Sequence, residues 1–213
     1  MNKKIFSIIA VSVMALSACS IGSSTESQLS ETLTKMNDSE AQYRSSQSTL
    51  TELEQSEQKT FTETMELTKE DVDQLRNKVA ELEKSIEDRL AQLKEEEAAM
   101  HEAKGFVTEL ESIAEKASEA EKKKIEELNR AVQDRYDLHD QFIEAYRALS
   151  SQQKEFYALL VKENVELADL KEKVKEVNEQ NEVVKDVIAK FNEATKIVND
   201  LKQDVFSSLE KEE

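Results

Sequence analysis

The chain has 213 residues, 38% of them apolar and 35% charged, with two glycines, one cysteine and neither proline nor tryptophan. Its 29 basic and 46 acidic residues leave a net charge of −17, which disfavours nucleic acid, because phosphates are bound through lysine and arginine. Ala, Glu, Lys, Leu and Arg supply 103 residues, the composition of long helices; all-β and α/β folds are excluded, as is an internal disulfide framework.

Taken in chain order, the first element is an address. Lys3 and Lys4 precede the apolar run from Ile5 to Leu16, which is too short to cross a bilayer but suits a secretory signal. The run ends in Leu16-Ser17-Ala18-Cys19. That tetrad resembles the bacterial lipobox, and the resemblance implies signal peptidase recognition at Leu16, Ser17 and Ala18, with a covalent diacylglycerol on Cys19. Its two acyl chains convert marginal membrane binding into stable anchoring. Residues 1–18 are therefore expected to be a lipoprotein signal peptide, 19–28 a lipid-anchored flexible tether and 29–213 a helical bundle domain. Loss of Lys3 and Lys4 leaves 27 basic against 46 acidic residues, a charge of −19. The body is then expected to stay off anionic lipid, with the anchor alone on the membrane.

From Leu29 onward the apolar period is helical. The first seam runs through Leu29, Leu33, Met36, Tyr43, Leu50, Leu53 and Phe61, interrupted by Glu40 and Gln47. Its Ser45–Thr49 stretch has poor helix propensity and predicts a kink. Thr68 with Asp71 reads as a capping box that ends one helix near Leu67 and starts the next at Lys69. The second seam takes Val72, Leu75, Val79, Leu82, Ile86, Leu93, Met100 and Ala103, with Arg89 and Glu96 at the two polar steps; it is read through Gly105. Ser118 with Glu121 starts the third helix, whose seam is Ile125, Leu128, Val132, Arg135, His139, Phe142, Tyr146, Leu149, Gln153, Phe156 and Leu160. Asn164 is placed as the cap of the fourth, which runs from Leu167 through Asn181, a register-fixing amide, to Val205.

Four near-equal rods with short connections predict an all-α, elongated up-and-down four-helix bundle of long antiparallel helices. Helix 1, with the poorest seam, is where a three-helix bundle or a dimerising hairpin would show instead. A di-metal bundle needs two Glu-x-x-His motifs, but Ala98 precedes His101 and Tyr136 precedes His139 by three. No metal, no cofactor beyond the diacylglycerol and no catalytic residues are expected, hence no enzyme and no small-molecule substrate. Aromatic residues gather on the third helix, where they read as a core layer. A ligand-stacking surface of Tyr136, His139, Tyr146 and Tyr157 is the competing reading, with Tyr157 beside the seam.

Three stretches carry a family resemblance: Phe61-Thr62-Glu63-Thr64-Met65-Glu66-Leu67; Asp134-Arg135-Tyr136-Asp137-Leu138-His139-Asp140 with Phe142 and Ala145-Tyr146; and Lys190-Phe191-Asn192-Glu193-Ala194-Thr195-Lys196. With the lipobox and four helices, the chain resembles the YkyA-like family of cell-wall-binding lipoproteins of Gram-positive bacteria over nearly its whole mature length. The resemblance implies an extracytoplasmic bundle on the cell membrane and carries over no ligand residues. The partners expected are the membrane, through the lipid, and either peptidoglycan or an envelope protein docked on a membrane-tethered scaffold.

Overall fold

A computed structural model describes residues 24–68 and 70–209. Its helices are α1 (Ser24–Ser39), α2 (Ala41–Met65), α3 (Val72–Lys104), α4 (Val107–Lys116), α5 (Glu119–Leu160) and α6 (Leu167–Leu209). They form four rods: α1 with α2, α3 with α4, then α5 and α6. Paired positions run in opposite senses. Thr32 meets Glu109 and Ser39 meets Glu102; Lys104 meets Asp137 and Arg147 meets Glu97; Arg135 meets Thr195 and Gln180 reaches Ala145. The bundle is antiparallel, as four near-equal rods with short connections predict. Helix 1 is no loose arm, because Leu29, Leu33, Met36 and Leu50 are all buried.

Local chemistry moves several boundaries. The helix starts at Ser24, so residues 24–28, expected in the flexible tether, belong to α1. The first rod breaks at Glu40 rather than at Ser45–Thr49. Asn37, Asp38 and Ser39 compete with the helix for backbone hydrogen bonds, and Arg44 Nη1 donates to the Asn37 carbonyl at the joint (3.1 Å). The serine-rich stretch stays helical, with the Thr49 and Thr51 hydroxyls bonded to carbonyls one turn back. Gly105 interrupts the second rod, which the apolar pattern would carry straight through. Its N–H is shared by the His101 and Glu102 carbonyls, and Phe106 N–H turns to Ala103. A Cβ there would lie 3.1 Å from the Glu102 carbonyl oxygen. Since Ser39 reaches Glu102, the two breaks face each other across the bundle.

At the turns, Ser118 and Glu121 form the expected reciprocal capping box. Thr68 and Asp71 bond each other one turn early, Thr68 N–H and Oγ1 both donating to Asp71 Oδ2 (2.9 and 2.8 Å). That closes a turn rather than a helix, and α3 begins at Val72. Asn164 lies before the start of α6 at Leu167 and is not its cap. Asn181 is half-buried, and its neighbour Gln180 makes the cross-helix amide bond, to the Ala145 carbonyl (2.9 Å).

The core is three apolar clusters in file. The first joins α1, α4, the start of α5 and the end of α6 around Leu29, Leu110, Ile125 and Val205. The second centres on Leu93, Ile143, Leu149 and Val184, the third on Val79, Leu82, Ile86 and Phe156. Burial along α6 is lopsided. No residue before Val184 is buried, and Leu167 and Val174 are 66% and 41% exposed.

Candidate functional site

The polar residues that interrupt the seams meet one another inside the bundle, in layers between the apolar clusters. In the first, Arg135 of α5 grips Glu40 with both prongs (Nη1–Oε1 2.6 Å, Nη2–Oε2 3.0 Å), and its Nε–H donates to Thr195 Oγ1 (3.0 Å). Tyr136 OH donates to Glu40 Oε1 (2.7 Å), while the guanidinium lies over the rings of Tyr136 and Phe191. Burial alone would raise the Glu40 carboxyl; the Arg135 charge, with the hydrogen bonds of Arg135 and Tyr136, holds it below its ordinary value.

The second layer pairs His139 Nε2 with Glu96 Oε1 (2.8 Å), both fully shielded from water. Gln47 Nε2 donates to Glu96 Oε2 (2.7 Å). Tyr43, Phe142 and Phe191 surround the imidazole with ring centroids at 5.7 to 5.9 Å, and its Nδ1 has no hydrogen-bond partner.

The third layer is the largest. Arg89 donates to Tyr146 OH (2.8 Å), to Gln153 Oε1 (2.7 Å) and to Glu57 Oε1 (3.0 Å). Its Nε lies 2.9 Å from Glu57 Oε2 as an ion-pair contact but out of line for a hydrogen bond. Tyr157 OH and Ser85 Oγ complete the shell of Glu57 (2.9 and 2.7 Å), and Tyr146 OH donates to Glu54 Oε1 (2.6 Å). Burial raises the Glu54 carboxyl, against the Tyr146 hydrogen bond and the Arg89 charge.

The sequence profile of the YkyA family, described as "Putative cell-wall binding lipoprotein", matches residues 24–208. The chain belongs to the YkyA family. No curated protein matches it. Among solved structures, a conserved Staphylococcus aureus protein of unknown function is similar, with a TM-score of 0.73 and 22% identity over 85% of this chain and 91% of that one. At that identity the likeness shows the fold.

Membership of the YkyA family leaves the chemistry of the core to the residues themselves, and here one expectation is corrected. Tyr136, His139, Tyr146 and Tyr157 are only 2%, 1%, 2% and 5% exposed, so they form no stacking surface. Their polar atoms are turned inward to glutamates. Burial first, then the neighbouring carboxylates, pushes each tyrosine hydroxyl above its ordinary pKa. Tyr157, placed beside the seam by spacing, is drawn inward by Glu57.

Among the described residues no group of three His, Cys, Asp or Glu could hold a metal. On the surface His101 and Lys104 meet Asp140, and Lys104 also meets Asp137 (2.8 to 3.1 Å). Cys19, with Leu16, Ser17 and Ala18, lies outside the described residues. No helix among the described residues is long and apolar enough to cross a membrane. Four members of these layers escaped sequence reading: Glu57, Glu54, Ser85 and Thr195. Glu57 had a signal, standing midway in the eight-residue step from Leu53 to Phe61; Thr195 likewise divides the step from Phe191 to Val198.

Proposed function

We propose that this YkyA-family chain is an extracytoplasmic lipoprotein without catalytic activity, held on the cell membrane by diacylglycerol on Cys19 and associated with the cell wall as a stiff helical rod. One observation carries the reading: the family match covers the whole bundle from Ser24, and the lipobox-like Leu16-Ser17-Ala18-Cys19 stands five residues upstream of it. The inward turn of the tyrosines and His139 supports a mechanical role, since it commits them to holding helices in register. A charge of −19 after processing would repel a polyanionic wall, so divalent ions are expected to bridge the two.

Two measurements test this. Cys19→Ala should release the protein from membranes or leave its signal uncleaved; normal processing with unchanged membrane retention refutes the anchor. Residues 24–213, made without the lipid, should pellet with protease-treated purified wall, more so with calcium or magnesium. A second reading, a membrane-tethered scaffold docking an envelope protein, is favoured by the exposed Leu167 and Val174 of α6. It predicts that the bundle stays in solution beside purified wall.

A further inference from the structure

The buried arginines are matched by glutamates; among the described residues, Lys202 is not. It is half-buried on α6, and it forms no hydrogen bond or ion pair with the described residues. It borders a cavity of about 50 Å³ between α1, α5 and α6, into which the Arg135–Glu40 layer opens with Tyr136 and Thr195. Asn37, half-buried, and Asn199, exposed, stand at the rim. Asn37 Oδ1 accepts from Arg44 Nη1 (3.4 Å), which leaves its amide nitrogen as the free donor end and brings another cation to the edge.

The charge balance is uneven. Lys202 and Arg135 face one carboxylate, Glu40, which Arg135 and Tyr136 already engage. A cation left over at low dielectric either sheds its proton or takes an anion. Burial indeed lowers the Lys202 pKa against the pull of Glu40, and the Arg135 charge adds to that lowering. Size bounds the anion. A buried water needs roughly 10–15 Å³ of cavity space, so a cavity of about 50 Å³ has room for a few waters or for one carboxylate group.

We propose that this cavity is a binding site for a single carboxylate group, held by the Lys202 ammonium and the Asn37 and Asn199 side-chain amides, with Arg135 behind it. The site goes beyond wall association and stands without it. A free short-chain acid and the C-terminus of a wall stem peptide present the same group.

The mature lipoprotein in detergent micelles tests it. Beyond Cys19 the chain has three methionines, Met36, Met65 and Met100; Met36 lines the cavity, so its ¹³C-methyl signal reports occupancy while the other two serve as controls. Sodium acetate, titrated at constant ionic strength and pH 7, should shift Met36 saturably and leave Met65 and Met100 in place. Lys202→Met should raise the half-saturation concentration about tenfold, the loss of one charge-assisted bond, and Lys202→Arg should restore it. An unresponsive Met36 in the unaltered protein overturns the proposal, as does an equal response in Lys202→Met with the Met100 signal unmoved. D-alanyl-D-alanine then separates the sources. If it shifts Met36 as acetate does, the site reads a wall-peptide terminus; if acetate alone does so, a free acid. Both support the site, and neither depends on whether the bundle pellets with wall.

Discussion

Arg89 and Arg135 are both buried, both face a glutamate from the first rod, and both have a tyrosine hydroxyl beside them. Around Arg135 the geometry is closed: a two-pronged fork to Glu40, Thr195 on Nε, and aromatic rings against the guanidinium. Around Arg89 the contacts are spread over Glu57, Tyr146 and Gln153, with Nε out of line. The spare charges also differ in sign. Lys202 stands near Glu40 as a second cation, whereas Glu54 adds a second carboxylate to the Arg89 layer. What losing one partner of a buried pair costs is therefore set by the charge left over beside it.

The comparison is broken most sharply at Arg89. Arg89→Met leaves Glu57 and Glu54 facing each other without their cation, and urea unfolding should show a loss of about 3–5 kcal/mol. Arg135→Met should cost about 1–2 kcal/mol less, because Lys202 remains to offset Glu40. Equal losses would show that Lys202 does nothing for that carboxylate. Glu40→Met combined with Arg135→Met should regain most of the Arg135→Met loss, since a packed apolar pair often replaces a buried ion pair without penalty.

Acid provides the next test. The folded Glu40 carboxyl titrates below its ordinary value, so its contribution is fully present above about pH 4.3 and is lost as pH falls through the folded pKa. Arg135→Met should flatten that part of the acid limb of Tm below about pH 4.3; an unchanged slope contradicts the assignment. The smallest effect belongs to Glu54. Its folded pKa is raised, so its ionisation removes stability as pH rises from about 4.3 through the folded value. Glu54→Gln keeps an acceptor for Tyr146 and should stabilise by about 1 kcal/mol or less at pH 7, with no gain at pH 4. A gain that persists at pH 4 refutes the ionisation argument.

The rods and their order were legible because apolar residues recur every three or four positions for forty residues at a time. So were most of the layer members: Glu40, Gln47, Arg89, Glu96, Arg135, His139 and Gln153 all stand out as polar steps on greasy seams. Which of them meet was not legible. Period places a residue on a face, but its height along the bundle depends on where the neighbouring rods begin, and capping signals fix those starts only to within a few residues. Thr68 shows why, since its side chain bonds Asp71 in a turn and delays the helix to Val72. Which way the tyrosines face was left open by the sequence for a related reason. Spacing puts Tyr157 beside the seam, and only the position of Glu57 on a different helix decides that the ring turns inward.

The layered core also bears on how the chain reaches its final form. Slide any rod by a single turn and a guanidinium or carboxylate lands among leucines while its mate is stranded elsewhere. Such misaligned assemblies stay wet and open to proteases, and the properly phased one alone is sealed. Proofreading is thereby built into the helices.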